Sequence, residues 1–359
     1  MRARLRDLGI EIGLLPPGPL NAITDVPGVR VGHTTLIYDE PHVARTGVTV
    51  ILARGVHIWD DYAPAGFHVL NGTGEMTGIH WLNESGLLCT PIALTNTHQV
   101  GLARDALSTY GQQKGYAWPF SLPVATETYD GWLNDTSVPY LKPEHVYAAI
   151  ENAADGPVPE GNVGGGTGMI CHGFKGGIGT ASRMVEVPSG RFVVGALVQA
   201  NHGRRVHLQV DGVPVGRLLD GEARPSATPV AEGGKPPTEG DGSLIVILAT
   251  NAPLLPVQCR RLAQRATIGM ARVGGMGHHG SGDLFLAFAT GNHHPDRTEE
   301  PIPLLMLPHH QLDPFFEAAT EAVEEAILNT LTAAETMTGR DGHTVHALPL
   351  DELMALMER

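Results

Sequence analysis

Short apolar runs bounded by glycine and proline, rather than long charged helices, set the pattern of this chain. Residues 47–53 (Gly-Val-Thr-Val-Ile-Leu-Ala), 88–96 and 192–200 are each apolar and long enough for a buried strand. Residues 21–35 read as short strands broken by Pro27, Gly28 and Gly32, and residues 56–59 extend the sheet begun at 47–53. Residues 123–131 form a strand running into a polar turn. Residues 176–182 and 184–187 join 192–200 in an antiparallel meander, and 280–289 is a glycine-punctuated turn feeding a further strand. Helical spacing appears at Val100, Ala103, Ala106, Leu107 and Tyr110, ending at Gly111. Residues 71–86 turn through glycines into a short helix, residues 143–154 form a helix with Pro143 near its start, and residues 257–270 form one rich in arginine. The strongest helix starts at Asp313 with Pro314 in its first turn. Phe316, Ala319, Val323, Ile327 and Leu331 line its apolar face, and Gly339 follows its end. Residues 1–20 form an arm closed by Pro16, Pro17 and Pro19. This mixture, with consecutive strands in the middle, predicts two sheets covered by helices, or an α+β layer sandwich.

One strand has an unusual entrance. Residues 220–242 are polar, dense in Pro and Gly, and too poor in apolar side chains to hold a packed structure. That segment stops at Gly242, and Ser243 opens an otherwise wholly apolar run that ends at Ala249. One reading is a linker feeding an ordinary strand. The other is a processing loop, because breakage of the Gly242–Ser243 bond would leave a hydroxyl nucleophile and a free α-amine on one residue. Such an amine has a pKa of about 7.7–8.0, so it can serve as the base the hydroxyl needs.

Composition narrows the choice of partner. Charged residues make up 17% against about 25% in an average protein, while there are 45 glycines, which implies many tight backbone positions. A net charge of −14 without a basic cluster disfavours a nucleic-acid surface and leaves a small molecule or peptide as the expected partner. Cys89, Cys171 and Cys259 form no CxxC pair and no disulfide framework, which suits buried thiols in a reducing cytoplasm. No apolar run reaches the length of a membrane span, and the N-terminal residues lack the apolar core of a signal peptide.

Three rival chemistries fit poorly. The doublets His278-His279, His293-His294 and His309-His310 lack zinc-type spacing, so loop and surface roles are expected and no metal. Gly280-Ser281-Gly282 lacks the outer glycines of a nucleophile elbow, and Ser243 leads into a strand rather than a helix. The glycines of 161–168 match no phosphate-binding spacing, which leaves close backbone packing as their reading.

The run from Gly242 through Ser243, Asn251 and Leu254 resembles the self-processing site of the DmpA/BapA aminopeptidases, which include the β-aminopeptidases. Further stretches follow the family's order over nearly the whole chain. They are Asn21 to His33, Asn71-Gly-x-Gly-Glu-Met-Thr-Gly78, Glu127-Thr-Tyr-Asp-Gly131 with Leu133-Asn-Asp135, Gly161 to Gly168, Ala200-Asn-x-Gly203, and Ser281-Gly-Asp-x-Phe285. The resemblance implies a four-layer αββα sandwich of N-terminal-nucleophile type, a single catalytic domain over 1–359, and no cofactor. It also implies processing into an α chain (1–242) and a β chain (243–359), assembled as a homotetramer. By the same resemblance, Ser243 attacks the Gly242 carbonyl and later serves as the catalytic nucleophile. Asn201 and Tyr129 would donate to the oxyanion, Ser281 and Asp283 would orient the Ser243 hydroxyl and amine, and Glu127 would receive the substrate's free amine. The expected substrate is a small peptide or amino-acid amide. An amidase for ω-amino-acid oligomers or an acyltransferase of the same architecture is the near alternative, and a non-catalytic binding protein with this fold the distant one. His202 and Asn251 depart from the family, which often carries Tyr and Asp there, and both are expected to flank the site.

Overall fold

The computed structural model describes residues 2–116, 120–219 and 242–358; of the expected processing loop, 220–241 lies outside these. The described strands form two large sheets. The first runs in the order Arg30–Tyr38, Ala44–Val56, Ile92–Asn96, Val124–Thr128. The second runs His294–Pro295, Asp61–Gly72, Gly282–Ala289, Ser243–Thr250, Gly190–Asn201, Gly177–Val187. Helices Val100–Gln113 and Pro143–Glu151 cover the first sheet, and Pro256–Ala263, Ala266–Arg272 and Asp313–Ala333 cover the second. The result is the expected αββα sandwich.

The Ser243 strand shows why its sequence is apolar throughout. Leu244, Val246 and Leu248 pack with Phe315, Ala319 and Val323 of the long helix. Ile245, Ile247 and Ala249 face the other way and pack with Val50 and Leu94 of the first sheet. A strand between two layers has no solvent face, so alternation disappears and each large side chain contributes about 1.5–3 kcal/mol by leaving water. On one side it pairs antiparallel with Gly190–Asn201, and on the other it pairs parallel with Gly282–Ala289. Parallel neighbours need a crossover, and helices Pro256–Ala263 and Ala266–Arg272 supply it.

Three expectations change. Residues 57–59, expected to extend the first sheet, wind into a 3-10 turn once the strand ends at Val56. The helix over 257–270 is two helices, and the break lets the second turn onto the long helix. A Cβ at Gly269 would stand 2.7 Å from Val323 Cβ and 2.8 Å from Thr320 O. The Asp61–Gly72 strand has no counterpart in the apolar pattern, because Pro64 and Gly66 interrupt it. Its place comes from packing: a Cβ at Gly66 would meet Arg260 N at 2.2 Å, so glycine admits the Pro256–Ala263 helix.

The glycine-rich stretch 161–168 packs its backbone closely, as expected, and does so between the two sheets. A Cβ at Gly165 would stand 2.5 Å from Leu94 O in the first sheet and 2.1 Å from Gln199 Oε1 in the second. Gln199 Nε2 donates to Thr95 O (2.9 Å) and Thr128 Oγ1 (2.8 Å), joining the sheets directly. Among the described residues no helix is long and apolar enough to cross a membrane.

Two testable consequences follow from this packing. Gly165→Ala overpacks the intersheet layer and should lower unfolding free energy by about 1–3 kcal/mol, read by denaturant titration against the parent. The second concerns Asp130, fully buried in the turn after Val124–Thr128; burial pushes its carboxyl up from 3.8 to about 7. The folded chain therefore holds this proton more tightly than the unfolded chain does. The stability it contributes is complete below pH 3.8 and is lost as pH rises through about 7. Asp130→Asn should remove this component, leaving a melting profile flatter than the parent's over that window; parallel profiles would refute the assignment.

Candidate active site

Three strand ends meet at Ser243. Its antiparallel partner is Asn201, the last residue of the Gly190–Asn201 strand, and its parallel partner is Gly282, the first of Gly282–Ala289. The Gly282 N–H donates to the Gly242 carbonyl at 2.9 Å, so the carbonyl before Ser243 is already held by a backbone amide. A Cβ on residue 242 would meet Asn201 O at 2.3 Å, which leaves room for glycine alone.

Asn201 is fixed from both sides. Its Nδ2 donates to Tyr129 O at 3.0 Å and its Oδ1 accepts from Ile170 N at 2.8 Å, which leaves the second Nδ2 hydrogen for another acceptor. Tyr129 thus meets Asn201 through its backbone. Its side chain is half exposed, its ring stands edge-on to His98, and its hydroxyl lies over Gly131, where a Cβ would be 2.2 Å away. A polar cavity lined by Asn96, His98, Gln99, Asn134 and Thr136 opens next to that ring.

Ser281 and Asp283 lie together: the Ser281 hydroxyl donates to Asp283 Oδ1 at 2.8 Å. Burial pushes the Asp283 carboxyl up, opposed by hydrogen bonds from Asn71, Ser281 and the Leu244 N–H. The last of these places the carboxylate against the backbone immediately after Ser243. Asn71 Nδ2 holds the other oxygen at 3.0 Å. Asn71 stands in the Asn-Gly-x-Gly stretch, but its role was not legible there. It depends on the register Asp283↔Asn71, set by an irregularity at Asp283/Leu284, the kind of bulge that re-aims a side chain.

Glu127 reaches the same end of the molecule from the other sheet. The loop after Asn71 crosses between the sheets, bridging Met76 to Thr126. A Cβ at Gly74 would lie 3.3 Å from both Glu127 Oε1 and Gly282 Cα, so the carboxylate sits one residue's width from the partner of Ser243. Glu75 N donates to Glu127 Oε1 at 2.9 Å, and the Thr97 hydroxyl donates to Oε2. Burial pushes this carboxyl up, and those two donors pull it partway back. Thr97 was not singled out from sequence, since its strand-end position becomes relevant only through the pairing of Thr95 with Glu127.

The two departures from the family lie apart. His202 follows Asn201 and is buried. Asn251 does not flank the site: it lies beyond the far end of the Ser243 strand, about 26 Å away at strand rise, where its Oδ1 accepts from Val193 N at 2.8 Å. Of the histidine doublets, 278–279 lies in a loop and 309–310 in a short turn, as expected, whereas His294 opens the edge strand His294–Pro295.

Comparison with known proteins accords with this geometry. The chain is 48% identical to the β-peptidyl aminopeptidase BapA of Sphingosinicella microcystinivorans, over 99% of this chain and 92% of that protein. It superposes on the β-aminopeptidase structure from Burkholderia sp. with a TM-score of 0.90 and 48% identity, covering 99% of this chain and 98% of that one. The L-aminopeptidase D-Ala-esterase/amidase of Ochrobactrum anthropi, described as a variant of the Ntn hydrolase fold, matches with a TM-score of 0.90 at 42% identity, with coverage of 99% and 98%. The family model for peptidase family S58 matches residues 21–345, and with these relatives it makes the chain a member of peptidase family S58.

Proposed function

We propose that this peptidase cuts its own chain between Gly242 and Ser243 and then works as an aminopeptidase with Ser243 as nucleophile. The observation that carries the reading is the meeting of strand ends at Ser243, with the Gly242 carbonyl oxygen on the Gly282 N–H. When the Ser243 hydroxyl attacks that carbonyl carbon, negative charge grows on an oxygen that already has a donor. The C–N bond breaks as the C–O ester forms, and the hydroxyl proton passes to the departing nitrogen. Water then hydrolyses the ester, leaving a Gly242 carboxylate and a free Ser243 hydroxyl and amine.

In the processed enzyme the α-amine takes the hydroxyl proton as Ser243 attacks the substrate carbonyl. The free Nδ2 hydrogen of Asn201 and the Tyr129 hydroxyl meet the oxyanion. The α-ammonium returns its proton to the substrate nitrogen as the C–N bond breaks and the acyl ester remains on Ser243, and water then releases the acyl group. Asp283, braced by Ser281 and Asn71, holds the backbone beside Ser243. Glu127 takes the substrate's ammonium, whose charge offsets the burial that raises this carboxyl. The products are small N-terminal amino acids, α or β, released from peptides, amides or esters. The same reading places the enzyme in the cytoplasm as a homotetramer of αβ units, with support from three free cysteines and the exposed apolar run Leu304, Leu305 and Met306.

Denaturing electrophoresis of the purified protein should show fragments of 242 and 117 residues (359 − 242 = 117), and Ser243→Ala a single full-length band. A parent chain that stays whole while hydrolysing amino-acid amides would overturn the mechanism. Glu127→Gln should raise KM for free-amine substrates about 10–100-fold, the worth of a charge-assisted contact. Equal losses on N-acetylated and free substrates would remove Glu127 from the amine site.

A further inference from the structure

Beside Asn201 lies a group of side chains that the proposed reaction does not use. Cys171 ends the short strand Ile170–Cys171, His172 turns the chain with φ of 47°, and His202 follows Asn201. All three are buried, His202 at 3% exposure and the other two at 0%. One ligand atom from each lies within 4.8 Å of the other two, and Cys171 Sγ is 3.9 Å from His202 Nδ1. The imidazoles meet edge-on with centroids 5.2 Å apart. His172 Nδ1 faces the Arg204 carbonyl at 3.1 Å, so this nitrogen carries the hydrogen and the lone pair sits on Nε2. His172 Nε2 has no hydrogen-bond partner, and neither has His202 Nε2. Buried polar atoms are ordinarily paired, and a buried group of one thiol and two imidazoles, each imidazole with an unpaired Nε2, calls for a ligand.

We propose that Cys171, His172 and His202 form a three-donor site for one soft, thiophilic metal ion, and that this ion is Cu+. Thiolate and imidazole are the donors such an ion selects. A backbone acceptor on the far nitrogen of a ligating histidine, as Arg204 O provides for His172, is the usual means of fixing its tautomer. Metal–nitrogen and metal–sulfur bonds of about 2.0 and 2.3 Å bring donors about 3.5 Å apart, so side-chain shifts of about an ångström close the site. Charge selects the ion. Binding exchanges the Cys171 thiol proton for the metal, and the proton leaves to solvent. Thiolate with a monovalent ion is neutral, as full burial requires, whereas Zn2+ would keep a positive charge and seek a fourth donor. Lys175, also fully buried, directs its Nζ hydrogens to the Met169 and Gly176 carbonyls (2.9 Å each) and brings no anion to offset a second charge.

The ion would act as a clamp, not as a reagent. His172 N donates to His202 O at 2.7 Å, and Ile170 N donates to Asn201 Oδ1 at 2.8 Å. Joining Cys171 and His172 to His202 therefore ties the turn after Ile170 to the strand end that carries Asn201. The site stands whether or not Asn201 serves the oxyanion.

The test uses the purified full-length protein under anaerobic, reducing conditions. Cu+ alone is added against a colorimetric Cu+ chelator, and Zn2+ alone in a parallel arm. The parent should hold about one Cu+ per chain, with a thiolate-to-copper absorption band and a raised melting temperature. Cys171→Ser and His202→Phe should each bind at least tenfold more weakly. No Cu+ held against the chelator overturns the proposal. So does equal retention by the variants, which would assign the metal to the exposed histidine doublets. Variant-sensitive binding of Zn2+ without Cu+ overturns the choice of ion. If a variant fails to fold, the parent's absorption band decides: copper bound without it is not bound to Cys171.

Discussion

A strand buried on both faces, whose first residue is a serine, is the constraint from which the rest of the site follows. Ser243 can be polar because it stands where the layers end; every residue after it in the strand faces helix or sheet. Its pairing with Asn201 on one side and Gly282 on the other is locked by that burial, since a slip of one residue would exchange its two apolar faces. Position, neighbours and the hold on the Gly242 carbonyl are therefore consequences of packing free energy spread over the whole strand.

Close backbone approach is the second requirement, and the many glycines meet it. Gly165 lets a loop sit between the sheets, and Gly74 and Gly282 let the loop after Asn71 pass over the start of the Gly282 strand. These contacts bring Glu127 from one sheet and Asp283 from the other to the same end of the sandwich. Burial raises both carboxyls, and both are aimed by neutral donors rather than by basic side chains. An acid held this way keeps its capacity for an incoming positive charge.

The basic residues are used elsewhere. Arg183, fully buried, donates to Glu321 at 2.9 Å and to Glu325 at 2.6 Å on the long helix, and to Ile12 O at 2.6 Å in the N-terminal arm. Glu321 also accepts from Leu14 N, and Glu325 from Arg6 and Asn21. Desolvation offsets much of the attraction in such a network. What it contributes is geometry: it seats the arm and the helix on the Gly177–Val187 strand, two strands from Ser243.

The sequence by itself determined the elements whose burial is uniform. The Ser243 strand, the helices begun at Val100 and Asp313, and the layered α+β class were all legible, because a two-faced strand and a long amphipathic helix write their environment into consecutive residues. Ser243, Asn201, Asp283 and Glu127 were legible through resemblance, as residues standing in motifs. Only the tertiary structure decided what those residues touch. The hold of Asn71 on Asp283, of Thr97 on Glu127 and of the Gly282 amide on Gly242 each joins segments far apart in the chain, through a register that no local pattern encodes. The Asp61–Gly72 strand and the break after Ala263 escaped for the same reason: their conformation is set by what packs against Gly66 and Gly269. Asn251, close to Ser243 in the sequence, proved distant, because an extended strand carries eight residues to the opposite end of the molecule.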